Sequence, residues 1–348
     1  LEITDRIFDY MQKRLREIAA LPDPVGRTLE GFTRPNGFRV SKVTVPIGVV
    51  GIIYESRPNV TTDAASVCLK SGNAVILRGG SESLRTNIVL ADAMAEAASK
   101  HGLPNNAVQI IRSADRENVK HLLRMDRYVD VLVPRGGKSL IERVASESRI
   151  PVIKHYDGIC HQYLAADAPV ERAVAVVVNS KCQRVEVCNA LETLLVDDQS
   201  AERLLPELKR AFDEEGVTLR GCDRTRAILS DIEPATEEDW GTEYLDRILS
   251  VRIVDGVTEA IEHINTYGSG HTDGIVTDDI ANARRFVDAI DASSVLVNAS
   301  TRLSGGGDYG MGAVVGISTD KLHARGPVGP QELTSYTWVA YGDGHLRD

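Results

Sequence analysis

Residues 46–80 read PIGVVGIIYESRPNVTTDAASVCLKSGNAVILRGG. Two short apolar runs, Val49–Tyr54 and Ala74–Leu77, flank a helical stretch, Val60–Lys70, which Ser71-Gly72 ends. Neither run alternates polar with apolar residues, so each predicts a strand buried on both faces. A strand, a helix and a second such strand form one βαβ unit of a parallel sheet. Working outward, the same alternation continues. A helix over Glu82–Lys100 ends at His101-Gly102, and a third strand covers Val108–Ile111. A short helix over Glu117–Arg124 leads to a fourth strand, Val129–Val133, and a helix over Ser139–Ser148. Ligands of such sheets are met at the carboxyl ends of the strands.

After a transition at Ile150–Ala168, a second α/β block begins at Val170. Its expected helices are Glu171–Val178, Ala201–Glu215, Val257–Ile264 and Ile280–Ile290, and its expected strands are Leu191–Val196, Ser250–Val254 and Ser294–Asn298. The reading is therefore α/β with two parallel-sheet domains and a small β element. The first domain is placed at 1–167 and the second at 168–330. Two extended segments belong to neither core: a hairpin over 30–45 that turns near Pro35-Asn36-Gly37, and a terminal strand within 331–348. Segments of this kind suit subunit pairing, so a homo-oligomer, dimer or tetramer, is expected. Ile3, Ile7, Met11, Leu15 and Ile18 recur at helical spacing, so the chain opens inside an amphipathic helix, with an N-terminal segment expected to have been removed, to be disordered or never to have been present. The acidic stretch Asp231–Asp239 reads as a solvated loop.

The 348 residues carry a formal net charge of -10, which argues against sequence-independent nucleic-acid binding. No apolar run is long enough for a membrane span, and no signal-peptide pattern is present. The five cysteines form no C-x-x-C pair, so neither a disulfide framework nor a metal site is expected, and the reading is cytoplasmic.

The stretch most informative for chemistry is Asn179-Ser-Lys-Cys-Gln-Arg-Val-Glu-Val-Cys188-Asn-Ala-Leu-Glu192. It lies between a helix and a buried strand, where a loop presents a side chain to a cleft. Cys188 reads as a thiol near a helix start, whose N–H groups would stabilise a thiolate; a buried core cysteine is the competing reading. Cys182, Cys68 and Cys222 look structural. Cys160 and His161 are adjacent on an extended segment and should point to opposite faces. Arg78-Gly79-Gly80 ends the second strand, and Arg135-Gly136-Gly137-Lys138-Ser139 follows the fourth; both suit a nucleotide. Gly305-x-Gly307-x-x-Gly310 matches the dinucleotide pattern but lacks its strand–helix context. Asn59 follows the first strand and suits either an oxyanion donor or a helix cap.

Taken together, these stretches resemble the γ-glutamyl phosphate reductases, a branch of the aldehyde dehydrogenase superfamily. The resemblance runs from about Ile18 to the C-terminus through VPIGVVGIIYESRPNVTTDAA, CLKSGNAVILRGGSES, VLVPRGGKSLIERV, VIKHYDGICH, CNALETLLV, HINTYGSGHTDGIVT and VNASTRLSGGGDYGMGAVVGISTDKLHARGPVG. It implies Cys188 as nucleophile, with Asn59 and the Cys188 N–H as the oxyanion hole. It implies Arg78, Gly79 and Gly80 by the adenosine ribose of NADP(H), Gly136, Gly137 and Ser139 by its phosphates, and Glu243 by the nicotinamide ribose. The implied substrate is L-glutamyl 5-phosphate, reduced to the 5-semialdehyde as a step towards proline, with glutamate 5-kinase as a possible partner. Arg302 and Arg325 are candidate forks for the substrate carboxylate, with Ser300 and Thr301 adding hydrogen bonds. Two departures stand out. Val185 replaces the proline that the family usually carries. His155, Tyr156 and Asp157 stand where other aldehyde dehydrogenases place a water-activating glutamate, which fits a thioester exchanged with phosphate. An ordinary aldehyde dehydrogenase or acyl-CoA reductase, and a catalytically inactive nucleotide-binding scaffold, are the competing readings.

Overall fold

The computed structural model describes residues 3–55 and 58–347. The chain divides into two compact units, Leu1–Lys154 with Tyr309–Asp348, and His155–Asp308. This differs from the expected contiguous domains 1–167, 168–330 and 331–348. The segment from 155 carries a strand that pairs inside the second sheet, and the segment after 308 returns to the first unit.

The first unit opens with α1 (Asp5–Ala20), which buries Met11 and Ile18, and continues with the hairpin β1 (Thr28–Thr33) and β2 (Arg39–Pro46). Next come β3 (Val49–Tyr54), α2 (Pro58–Lys70), β4 (Ala74–Arg78) and α3 (Leu84–Lys100). β5 (Val108–Ile110), α4 (Glu117–Leu122), β6 (Val131–Arg135) and α5 (Lys138–Glu147) complete its main body. The sheet order is β5-β4-β3-β6, all parallel. Its strands are apolar because helices cover them: Val50, Ile52, Val75 and Leu77 are fully buried against Ala64, Ala65 and Cys68 of α2. Gly48 has a φ of +133°, and a Cβ there would lie 2.2 Å from the Asp130 carboxylate, which accepts from the Val49 N–H.

The second unit begins with β7 (Cys160–Leu164), α6 (Val170–Cys182), β8 (Leu191–Asp197) and α7 (Asp198–Glu214). β9 (Thr218–Gly221), α8 (Asp223–Ile228), β10 (Glu233–Pro234), β11 (Ile248–Val254) and α9 (Gly256–Tyr267) follow. The unit closes with β12 (Thr272–Val276), α10 (Ile280–Ala289) and β13 (Ser294–Val297). All seven strands run parallel in the order β10-β9-β11-β8-β7-β12-β13. Periodicity alone does not find β7 and β12, although both lie inside the sheet, because their residues are polar. One polar pair links the two strands: His161 Nδ1 lies 3.0 Å from Asp273 Oδ1, which also accepts from the His161 N–H. Gly274 carries no Cβ because Gln162 fills that space. The acidic stretch 231–239 is not wholly solvated either: Asp239 is buried, pairs with Arg220 and accepts from Tyr244.

In the first unit, β14 (Gly316–Ser318) and β15 (Gly326–Val328) form a small antiparallel pair. β16 (Thr334–Tyr341) pairs antiparallel along β2, giving the three-stranded sheet β1-β2-β16. Both extended segments expected outside the cores thus meet in one sheet, with Phe32, Tyr336, Trp338 and Tyr341 exposed on it. Among the described residues no helix is long and apolar enough to cross a membrane.

Candidate active site

Cys188 sits in a turn immediately before β8, closed by the Ala190 N–H donating to the Val187 carbonyl. This corrects the expected helix start: the segment that follows the thiol, Leu191–Asp197, is a strand. The loop is fixed at both ends. Lys181, at the end of α6, and Glu192, at the start of β8, form a 2.6 Å ion pair, both fully buried. Burial pushes the Glu192 carboxyl up to about 7 and Lys181 down, and the other Glu192 oxygen accepts from the Leu245 N–H. A buried pair of this kind specifies geometry more than it adds stability. It ties segment 181–192 to segment 243–245.

Gly158 presses against the nucleophile loop. A Cβ on Gly158 would lie 1.9 Å from the Cys188 carbonyl oxygen and 2.6 Å from its Cα, so only glycine fits. The Gly158 N–H donates to Glu243 Oε1 at 3.0 Å. Beneath the loop, the Cys160 thiol donates to the Cys188 carbonyl at 3.2 Å. Cys160 is fully buried, and that burial pushes its thiol well above the usual range, so it stays protonated. Cys160 and His161 engage different partners, Cys160 the Cys188 carbonyl and His161 the Asp273 carboxylate.

One ring nitrogen each of His155 and His271 and the Cys188 sulfur all lie within 4.8 Å of one another. His271 is buried, which drives its pKa down to about 3, so it is neutral. Its tautomer follows from its partners. Ser304 Oγ donates to the Thr301 carbonyl, Thr272 Oγ1 donates to Ser304, and His271 Nδ1 lies 2.8 Å from Thr272 Oγ1. The Thr272 hydroxyl has given its proton away, so it accepts from Nδ1–H. The lone pair of His271 is therefore on Nε2.

Arg302 Nε donates to Gln183, and one of its terminal nitrogens donates to the Asn189 side chain, so this guanidinium braces the residue after Cys188. Burial, then the neighbouring Arg184, lowers the Arg302 pKa. Ser300 and Thr301 are both buried: Ser300 accepts from the Arg302 N–H, and Thr301 is 0% exposed. Arg325 and Asn59 belong to the first unit. Asn59 lies in the first turn of α2, where its side chain favours the ionised form of Asp63 and its carbonyl accepts from Thr62.

Of the residues expected at a cofactor, Arg78, Gly79, Gly80, Gly136, Gly137 and Ser139 belong to the first unit and Glu243 to the second. A cavity of about 730 Å³ lies at the carboxyl ends of β3, β4 and β6, and Arg78, Gly80, Ser81, Arg116, Ser139 and Arg143 line it together with Glu55 and Glu82. Its size and its place on a parallel sheet suit a nucleotide. Burial and then the Arg116 guanidinium lower the Arg78 pKa. The glycines behave differently from expectation. A Cβ on Gly79 would meet Asn87 and Tyr54, and one on Gly136 would meet the Glu55 carboxylate at 2.6 Å. The Gly137 N–H at the start of α5 donates to Glu55 Oε1 at 2.9 Å. A carboxylate thus already fills the anion position expected for a phosphate. Glu55, Arg116, Gly158 and His271 are absent from the sequence-based candidates.

The aldehyde dehydrogenase family model matches residues 6–219 and 227–311. The chain belongs to the aldehyde dehydrogenase family. Members of this family use a nicotinamide cofactor. Among solved structures, the γ-glutamyl phosphate reductase of Thermotoga maritima is 44% identical with a TM-score of 0.98, over 100% of this chain and 84% of its own. An acetylating aldehyde dehydrogenase from Geobacillus thermoglucosidasius shares the fold at 21% identity and a TM-score of 0.69, over 96% of this chain and 82% of its own. A propionaldehyde dehydrogenase from Rhodopseudomonas palustris does so at 17% and 0.70, over 96% and 85%.

Proposed function

We propose that this chain is a γ-glutamyl phosphate reductase, which converts L-glutamyl 5-phosphate into glutamate 5-semialdehyde and phosphate on the route to proline. The observation that carries this reading is the 44% identity, over the whole chain, to an enzyme of that name with nearly the same backbone. The thiol environment supports it. Cys188, the one cysteine held in a turn at the mouth of the β7–β8 strand ends, is the nucleophile. Its sulfur bonds to the acyl carbon while the carbon–oxygen bond to phosphate breaks. His155, within 4.8 Å of the sulfur, is placed to take the thiol proton, and the Cys188 N–H receives the developing oxyanion. Asn59 is assigned the companion donor by family resemblance alone. When bound, NADPH supplies the hydride that takes the thioester to the aldehyde level. Arg78, Gly80 and Ser139 hold its nucleotide part, Arg78 and Arg116 supply charge for a 2′-phosphate, and Glu243 is assigned the nicotinamide ribose by the resemblance. With histidine in place of a water-activating carboxylate, release to phosphate is favoured over hydrolysis. Arg302 holds the Cys188 loop and offers its remaining nitrogen to the substrate carboxylate, with Arg325 as the alternative fork. A cytoplasmic homo-oligomer paired through the β1-β2-β16 sheet, supplied by a glutamate 5-kinase, completes the reading.

The test is the reverse reaction. Glutamate 5-semialdehyde with phosphate and NADP should be turned over at least about 100-fold more efficiently than simple aldehydes with water. Equal rates without phosphate contradict the reading. In the same assay, Arg78→Ala should lower kcat/KM for NADP by about tenfold while leaving NAD within about twofold; equal losses would remove the 2′-phosphate role.

A further inference from the structure

We propose that Cys188, His155 and His271 form a binding site for one thiophilic divalent cation of the zinc class, and that its occupation reversibly blocks the nucleophile. The block rests on Cys188 being the nucleophile; the binding does not.

Three observations carry this. First, the donor set is one sulfur and two imidazole nitrogens, which zinc-class ions prefer, and its atoms lie within 4.8 Å of one another. Ligand atoms around a tetrahedral zinc sit about 3.3–3.8 Å apart, so each pair must close by at most about 1.5 Å. Cys188 and His155 are only half-buried, and rotation of those two side chains supplies the movement. Second, His271 is 1% exposed and its Nε2 has no hydrogen-bond partner among the described residues. The chain His271 Nδ1–H, Thr272, Ser304, Thr301 carbonyl leaves the lone pair on that nitrogen. A buried acceptor without a donor is costly, and a cation bound at that nitrogen would satisfy it. Third, the same chain is the outer support that metal-binding histidines characteristically have, with the second ring nitrogen donating to an oxygen that is itself fixed.

Binding replaces the thiol proton by the metal: the sulfur–metal bond forms and one proton goes to solvent. Three protein ligands leave a fourth position for water or an external thiol, which marks an exchangeable site and not a closed structural one.

Cobalt(II) is the probe, because a thiolate ligand gives it a near-ultraviolet charge-transfer band. The wild-type protein should bind one equivalent with that band and release about one proton, and zinc should bleach the band. Cys188→Ser should lose the band, and His155→Ala and His271→Gln should each weaken binding by about tenfold or more. Circular dichroism checks the fold of each variant, and His155→Ala, at a half-buried position, serves if the buried His271 variant does not fold. Absence of the band in wild type, or its survival in Cys188→Ser, overturns the proposal. A protein inactive on the acyl phosphate would still show the band, so the two readings fail separately.

Discussion

Cys188→Ala is expected to lower phosphate-dependent turnover of glutamate 5-semialdehyde by at least about 10³-fold, because a covalent nucleophile has no substitute when its sulfur is removed. The buried thiol of Cys160 offers none. It is occupied by the Cys188 carbonyl and held protonated by burial. The fold should survive. The Cys188 side chain is half-buried, and the loop is held by the Lys181–Glu192 pair and by Arg302 on Asn189, none of which involves the sulfur. Thermal unfolding should therefore shift by no more than about 1 kcal/mol in stability. Cofactor affinity should be unchanged, since the nucleotide cavity lies wholly in the first unit. A variant that keeps a tenth of the activity would exclude Cys188 as nucleophile.

Gly158→Ala is the second large effect, and it acts through space and not chemistry. The new methyl would lie 1.9 Å from the Cys188 carbonyl oxygen and 2.6 Å from its carbonyl carbon and Cα. All three are backbone atoms, so no side-chain rotation relieves the clash. Either the 155–158 segment or the Cys188 turn must move by about 1 Å or more, a displacement that costs about 100-fold when a reacting atom is misplaced. Moving Gly158 also disturbs its N–H bond to Glu243. We expect kcat to fall about 100-fold while the protein remains folded. Gly241→Ala, where a Cβ would meet nothing within 4 Å, should behave as wild type. Steady-state kinetics beside thermal melts check this. An active Gly158→Ala enzyme would show that the turn tolerates displacement.

Much of the first unit is legible in the chain because its strands are buried on both faces and so read as apolar runs: Val49–Tyr54 and Ala74–Leu77 became β3 and β4 with little change. β7 and β12 are not legible in that way. Their residues His161, Gln162, Thr272 and Asp273 are buried and polar, and the pairing of His161 with Asp273 joins positions far apart in sequence. The site divides similarly. Cys188 stands out by its position between helix and strand, but the sequence does not distinguish a helix start from a turn there. Gly158 lies within the quoted segment VIKHYDGICH, yet its role depends on a backbone contact thirty residues on, which no local pattern encodes. His271 depends on a hydrogen-bond chain through Thr272, Ser304 and Thr301. The glycine pair after β6 was read as a phosphate loop; the absent Cβ of Gly136 and the Gly137 N–H accommodate Glu55, whose preference for that spot only the folded backbone reveals.

The central claim, an acyl group carried on the Cys188 sulfur, can be trapped directly. With glutamate 5-semialdehyde and NADP supplied and phosphate withheld, the acyl-enzyme should accumulate. Intact-protein mass spectrometry should then show one acyl adduct, peptide mapping should place it on Cys188, and added phosphate should remove it. An adduct on another residue, or full turnover to NADPH with no adduct and no need for phosphate, would contradict the account.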